Sequence, residues 1–119
     1  MPPEGAGTDP GDALRAEEER LRRTLADLEA QMARLVESSR GDNADDEHDP
    51  EGQTIAFERS QLAAVTAETQ ERLAEVRAAV RRVVDGGYGT CEVCGRSIPD
   101  GRLEARPTAT TCVEHAARR

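Results

Sequence analysis

The stretch "CEVCGRSIPDGRLEARPTATTCVEH", residues 91–115, decides how the chain is read. Cys91 and Cys94 form a CxxC pair, and Cys112 with His115 forms a second pair after 17 intervening residues. Two close ligand pairs on separate turns supply a closed tetrahedron of three thiolates and one imidazole, which is zinc spacing. Four protein ligands leave no position for water, so the metal in this reading is structural and contributes folding free energy, not chemistry. Two alternatives stand beside it. Cys91 and Cys94 as a thioredoxin-like redox pair would need a surrounding βαβ pattern, and the flanking sequence carries none. His115 as a solvated residue would leave three cysteines and an outside ligand, a reading that the CxxH spacing disfavours.

Immediately upstream, "DGGYG" at 85–89 is a glycine-rich helix stop, and a long helical pattern precedes it. In that segment Ile55, Leu62, Thr69, Val76 and Val83 recur every seven residues, with Thr66, Leu73 and Val80 interleaved. Further upstream, Leu14, Leu21, Leu25, Leu28, Met32 and Leu35 form one stripe with coiled-coil spacing. A loop of about a dozen residues joins the two segments, which makes them an antiparallel hairpin. The first helix opens at Asp9 and Pro10, suited to an N-cap and first helical position, and runs to about Ser39. Glu18 with Arg22, Glu19 with Arg23, and Glu68 with Arg72 form i,i+4 pairs on the outer faces, each worth about 0.2–0.5 kcal/mol. Arg59 and Thr66 weaken the seam toward the loop, so the firmest packing is expected where Val76, Val80 and Val83 meet the start of the first helix.

The fold class is therefore mainly α: an antiparallel two-helix coiled-coil hairpin with a small C-terminal zinc finger. The divisions are a Pro- and Gly-rich disordered lead-in at 1–11, the hairpin at 12–85 with its acidic tip at 42–52, and the finger at 86–119. Composition agrees, since 119 residues with 34% charged and 2% aromatic residues leave little for a globular core. At 1.5 Å per residue the expected helices make a thin rod roughly 40 Å long. A simple dimerising coiled coil is the plainer reading of the stripe taken alone, although an intrachain hairpin favours a monomer.

Several function classes are disfavoured. All 16 basic residues are arginine, and they alternate with acids, without the basic stripe or stacking aromatics of a nucleic-acid binder. No stretch approaches a membrane span, and the N-terminus lacks the basic and apolar regions of a signal peptide, so a cytoplasmic location is expected. An isolated two-helix arm has no cavity for catalysis, and the metal has no open coordination position, so the chain is not read as an enzyme.

The finger also carries a family signature. Tyr88, Gly89, Cys91, Cys94, Gly95, Ile98, Arg102, Leu103, Ala105, Pro107, Ala109 and Cys112 fall on the pattern "YGxCxxCGxxIxxxRLxAxPxAxxC", with Gly87 immediately before it. The chain thereby resembles the DksA/TraR zinc-finger family, over residues 50–115 and more loosely in the upstream arm. The resemblance implies one structural zinc ion, bacterial RNA polymerase as partner, and a coiled coil inserted into its secondary channel. It implies altered promoter open-complex lifetimes without sequence-specific nucleic-acid binding. The fourth ligand, usually cysteine in the family, is His115 here. The sequence ends at Arg119, so the C-terminal helix of longer members, with its share of their alarmone sites, is expected to be nearly absent.

The tip departs as well. Family members with the best-known activity carry Asp, Pro, any residue, a second Asp, and Ala two further on. Here Asp49, Pro50 and Glu51 match, while Gly52 and Thr54 stand at the second Asp and the Ala. Six of the chain's 24 acids, Asp42, Asp45, Asp46, Glu47, Asp49 and Glu51, crowd this loop and account for most of the net charge of −8. Asp49 caps the second helix with Pro50 at its first position, and Glu51 suits the helix dipole. Capping leaves the other acids unexplained; a solvated loop is one reading, and delivery to a basic wall or a Mg²⁺ in a partner is the other. The partner-contacting tip is thus assigned to Asp45, Asp46, Glu47, Asp49, Glu51 and Phe57, Phe57 being off the seam and equally suited to packing on the loop. His48 is read as an exposed loop histidine. Two rival functions are a Gre-type transcript-cleavage factor, which shares the arm but not the zinc knot, and a zinc and coiled-coil adaptor for another protein.

Overall fold

The computed structural model describes residues 9–41 and 50–116. Helix α1 is Pro10–Gly41, α2 is Pro50–Asp85, and the short α3 is Asp100–Ala105, followed by a single 3₁₀ turn at Val113–His115. Among the described residues there is no strand, only an isolated antiparallel bridge between Thr90 and Ser97. Of the lead-in read at 1–11, residues 1–8 fall outside the described residues and Pro10 and Gly11 already belong to α1; of the acidic tip read at 42–52, residues 42–49 fall outside them and 50–52 open α2.

Helix α1 starts where the Asp9–Pro10 pair places it. The Asp9 carboxylate accepts from the Gly11 N–H at 3.2 Å and its carbonyl accepts from Ala13 at 3.1 Å, satisfying donors that the first turn otherwise leaves unpaired. Helix α2 stops at the expected glycines. Gly86 takes φ 93°, a left-handed conformation that costs glycine little, and the N–H groups of Gly86, Gly87 and Tyr88 all converge on the Arg82 carbonyl.

The chain forms two compact units, Met1–Glu19 with Ala74–Arg119, and Arg20–Leu73. In the first, the opening of α1 lies against the end of α2. A Cβ added to buried Gly11 would come within 3.3 Å of Val83 and 3.0 Å of the Arg15 guanidinium, so glycine permits the close approach. Arg77 meets Glu18 in the same unit, so α2 retreats as α1 advances and the pairing is antiparallel. Leu14, Val76 and Ala79 are buried there, each of the larger two contributing about 1.5–3 kcal/mol by leaving water.

In the second unit Leu28, Thr69 and Leu73 are buried, while Leu21, Leu25, Met32, Leu35, Ile55, Leu62 and Thr66 are half-buried. All lie on the two stripes read from the sequence. Thr69 satisfies its buried hydroxyl by donating to the Val65 carbonyl one turn back, at 2.9 Å.

Candidate metal centre

The finger is built on backbone hydrogen bonds that bend the chain tightly around its cysteines. The Cys91 N–H donates to the Arg96 carbonyl at 2.8 Å and Ile98 donates to Gly89 at 2.7 Å, closing a narrow loop around the CxxC pair. Gly95 turns that loop with φ 76°. The second pair is brought up from below: Glu92 N–H donates to the Thr110 carbonyl at 2.9 Å, and His115 N–H returns to the Cys112 carbonyl at 3.1 Å. Ile98 and Thr111 of the finger are buried.

All four predicted ligands come together, with their donor atoms within 4.8 Å of one another. Cys94 Sγ lies 3.9 Å from Cys112 Sγ, and His115 Nδ1 lies 3.7 Å from Cys91 Sγ and 3.2 Å from Cys112 Sγ. A tetrahedral zinc with ordinary Zn–S and Zn–N bonds holds its donors roughly 3.6–3.8 Å apart. The residues therefore fit a closed four-ligand site. The three cysteines form no disulfide.

The environment favours thiolates unequally. Burial pushes the Cys91 thiol up, but N–H groups of Cys94, Cys112 and Val93 and the His115 side chain outweigh it and hold Cys91 at about 5, against an ordinary 9.0. The Val93 N–H points at Cys91 Sγ from 3.4 Å. Cys112 moves the other way, raised by burial and then by the neighbouring Cys91 sulfur. Arg96 is held more firmly protonated by its hydrogen bond to Cys94 and by the negative charge of Cys94, Glu114 and Cys112.

Sequence reasoning missed the groups that brace the site. Arg96 reaches Glu114 at 3.5 Å, linking the CxxC loop to the turn carrying His115. Arg102 Nε donates to the Thr111 carbonyl at 2.7 Å, and the Tyr88 hydroxyl donates to the Pro107 carbonyl at 2.8 Å. Arg102 and Tyr88 were visible as signature positions, but no spacing rule assigns them those carbonyls. Of the predicted tip, Glu51 is exposed in the first turn of α2 and Phe57 is 63% exposed on the same helix. Asp45, Asp46, Glu47 and Asp49 lie outside the described residues.

A model of the prokaryotic dksA/traR C4-type zinc finger matches residues 86–119. The structure of transcription factor DksA2 from Pseudomonas aeruginosa is similar with a TM-score of 0.58 and 27% identity, covering 98% of this chain and 88% of that one. Residues 86–119 are thus a finger of the DksA/TraR type. The chain is 52% identical over 50 residues to the RNA polymerase-binding transcription factor DksA of Caulobacter vibrioides, covering 41% of this chain and 35% of that protein. It is 37% identical over 75 residues to the uncharacterized protein YteA of Bacillus subtilis, covering 63% of this chain and 31% of that protein. These matches thus span about a third of each curated relative. As a DksA/TraR finger the site is a zinc site, with His115 standing where the C4 pattern has its fourth cysteine. No helix among the described residues is long and apolar enough to cross a membrane.

Proposed function

We propose that this protein, with its DksA/TraR finger, is a non-enzymatic, cytoplasmic regulator of transcription that binds bacterial RNA polymerase. Zinc held by Cys91, Cys94, Cys112 and His115 is structural, fastening the finger whose loops carry Arg96, Arg102 and Tyr88. The helical hairpin enters the polymerase secondary channel, and its acidic tip, Asp45, Asp46, Glu47, Asp49 and Glu51 with Phe57 nearby, biases the enzyme between promoter-complex states by binding one better than the other. Sequence-specific contact with nucleic acid has no part in this mechanism.

The observation that carries the reading is the joint presence of the family finger and a DksA2-like fold over nearly the whole chain. Phe57, 63% exposed near the start of α2, offers an apolar side chain beside Glu51 for such a contact. Carboxylates are the chemistry expected opposite a basic wall or a bound Mg²⁺.

The test is the lifetime of preformed promoter open complexes challenged with zinc-loaded protein. The expected result is a dose-dependent change in lifetime, lost when Asp45, Asp46, Glu47 and Asp49 are replaced by Asn or Gln while polymerase binding persists. Binding with unchanged lifetimes at every promoter tried would reject the regulatory reading, and cleavage of RNA in backtracked complexes would replace it.

A further inference from the structure

His115 is the donor that departs from a four-cysteine set, and the turn that carries it dictates which of its atoms can reach a metal. Cys112 immediately precedes the 3₁₀ turn at Val113–His115, and the His115 N–H is bonded back to the Cys112 carbonyl at 3.1 Å. Both side chains therefore start from one tight turn, close to the metal position, and the ring has a short distance to cover. Nδ1 is bonded directly to the ring carbon that joins the side chain, whereas Nε2 lies on the far side of the ring. Ligation through Nε2 needs the backbone to stand further off by roughly the width of the ring.

The distances agree with that argument. It is Nδ1 that approaches the thiols, 3.2 Å from Cys112 Sγ and 3.7 Å from Cys91 Sγ. The exposed Arg96–Glu114 pair, one residue before His115, spans the CxxC loop and this turn at 3.5 Å. We propose that His115 binds zinc through Nδ1, which fixes the neutral ring in the tautomer with its proton on Nε2. The centre is then three thiolates and one neutral imidazole, one unit less negative than the C4 centre. Nε2–H becomes a fixed donor on the side of the ring turned away from the thiolates, ready for a carboxylate or carbonyl acceptor. This inference rests on the zinc-site reading above but not on the partner or the regulatory effect.

The experiment loads the full chain with an NMR-active cadmium isotope in place of zinc and labels its histidine nitrogens. The chain has 2 histidines, so His48→Gln leaves His115 as the only signal. The expected result is metal–nitrogen coupling to Nδ1, with the ring proton on Nε2 and a cadmium shift of the three-thiolate type. Coupling to Nε2 instead overturns the proposal and leaves the zinc site standing. Bound cadmium with no coupling to either nitrogen, and unchanged in His115→Ala, removes His115 from the ligand set altogether. Failure of the chain to bind cadmium or zinc at all rejects the zinc site and the proposal together.

Discussion

Arg77 Nε donates to Glu18 Oε2 at 3.1 Å, joining residues 59 positions apart on α1 and α2. The sequence offers Glu18 a neighbour one helical turn away in Arg22, and the fold gives it this interhelical partner. The side chains are 47% and 25% exposed for Arg77 and Glu18, so water screens the attraction. A double-mutant cycle with Glu18→Gln and Arg77→Gln should give a coupling of about 0.2–1 kcal/mol that shrinks in high salt. The pair sets register more than it holds the helices together.

The seam carries more of the stability. Leu14→Ala and Leu73→Ala remove buried side chains and should each cost about 2–5 kcal/mol in chemical denaturation. Thr69→Val should behave oppositely. Its hydroxyl bonds only a carbonyl already engaged in the helix ladder, so valine leaves no orphaned group and the variant should match or exceed the parent.

Tyr88 reports on the packing beside the finger. Burial raises its phenol above 10.0, opposed by the nearby Arg82 guanidinium. Because the folded pKa lies above the unfolded one, the folded state binds the proton more tightly. The stability from this group is complete below about 10 and is lost as pH rises through the folded value. With 1 tyrosine and 0 tryptophans in the chain, phenolate absorbance reads this group alone. The midpoint should lie above 10 in the folded protein and fall to the ordinary value in urea.

Zinc uptake should release protons. Nearby N–H groups and His115 lower Cys91 to about 5, whereas Cys112 is raised above its ordinary 9.0 and must lose its proton to bind. Affinity should therefore weaken as pH falls, with Cys91 adding to the competition only toward pH 5. Chelator competition across pH checks this, and calorimetry in buffers of different ionisation heat counts the protons. Chelation should also expose buried Cys91 to thiol reagents, and Cys91→Ser should lose tight binding.

The heptad stripes made the helices legible because burial at Leu14, Leu28, Leu73 and Val76 follows a period that the sequence displays. Ala79 was not legible. It is 0% exposed, yet a single alanine carries no hydrophobic signal. The ligand set was legible because chelation by close pairs imposes a spacing. The braces were not, since Arg96 with Glu114 and Arg102 with Thr111 depend on the path of loops that no periodicity describes. Helix α3, DGRLEA, is too short to complete two turns and so shows no periodic pattern.

The central claim is that the acidic end of the hairpin works inside the polymerase. A photocrosslinker placed at exposed Glu51, in the zinc-loaded protein mixed with core RNA polymerase, tests it directly. The account predicts an adduct on the elements that line the active-site end of the secondary channel. Adducts confined to the outer surface, or none with zinc content and helicity verified, would contradict it.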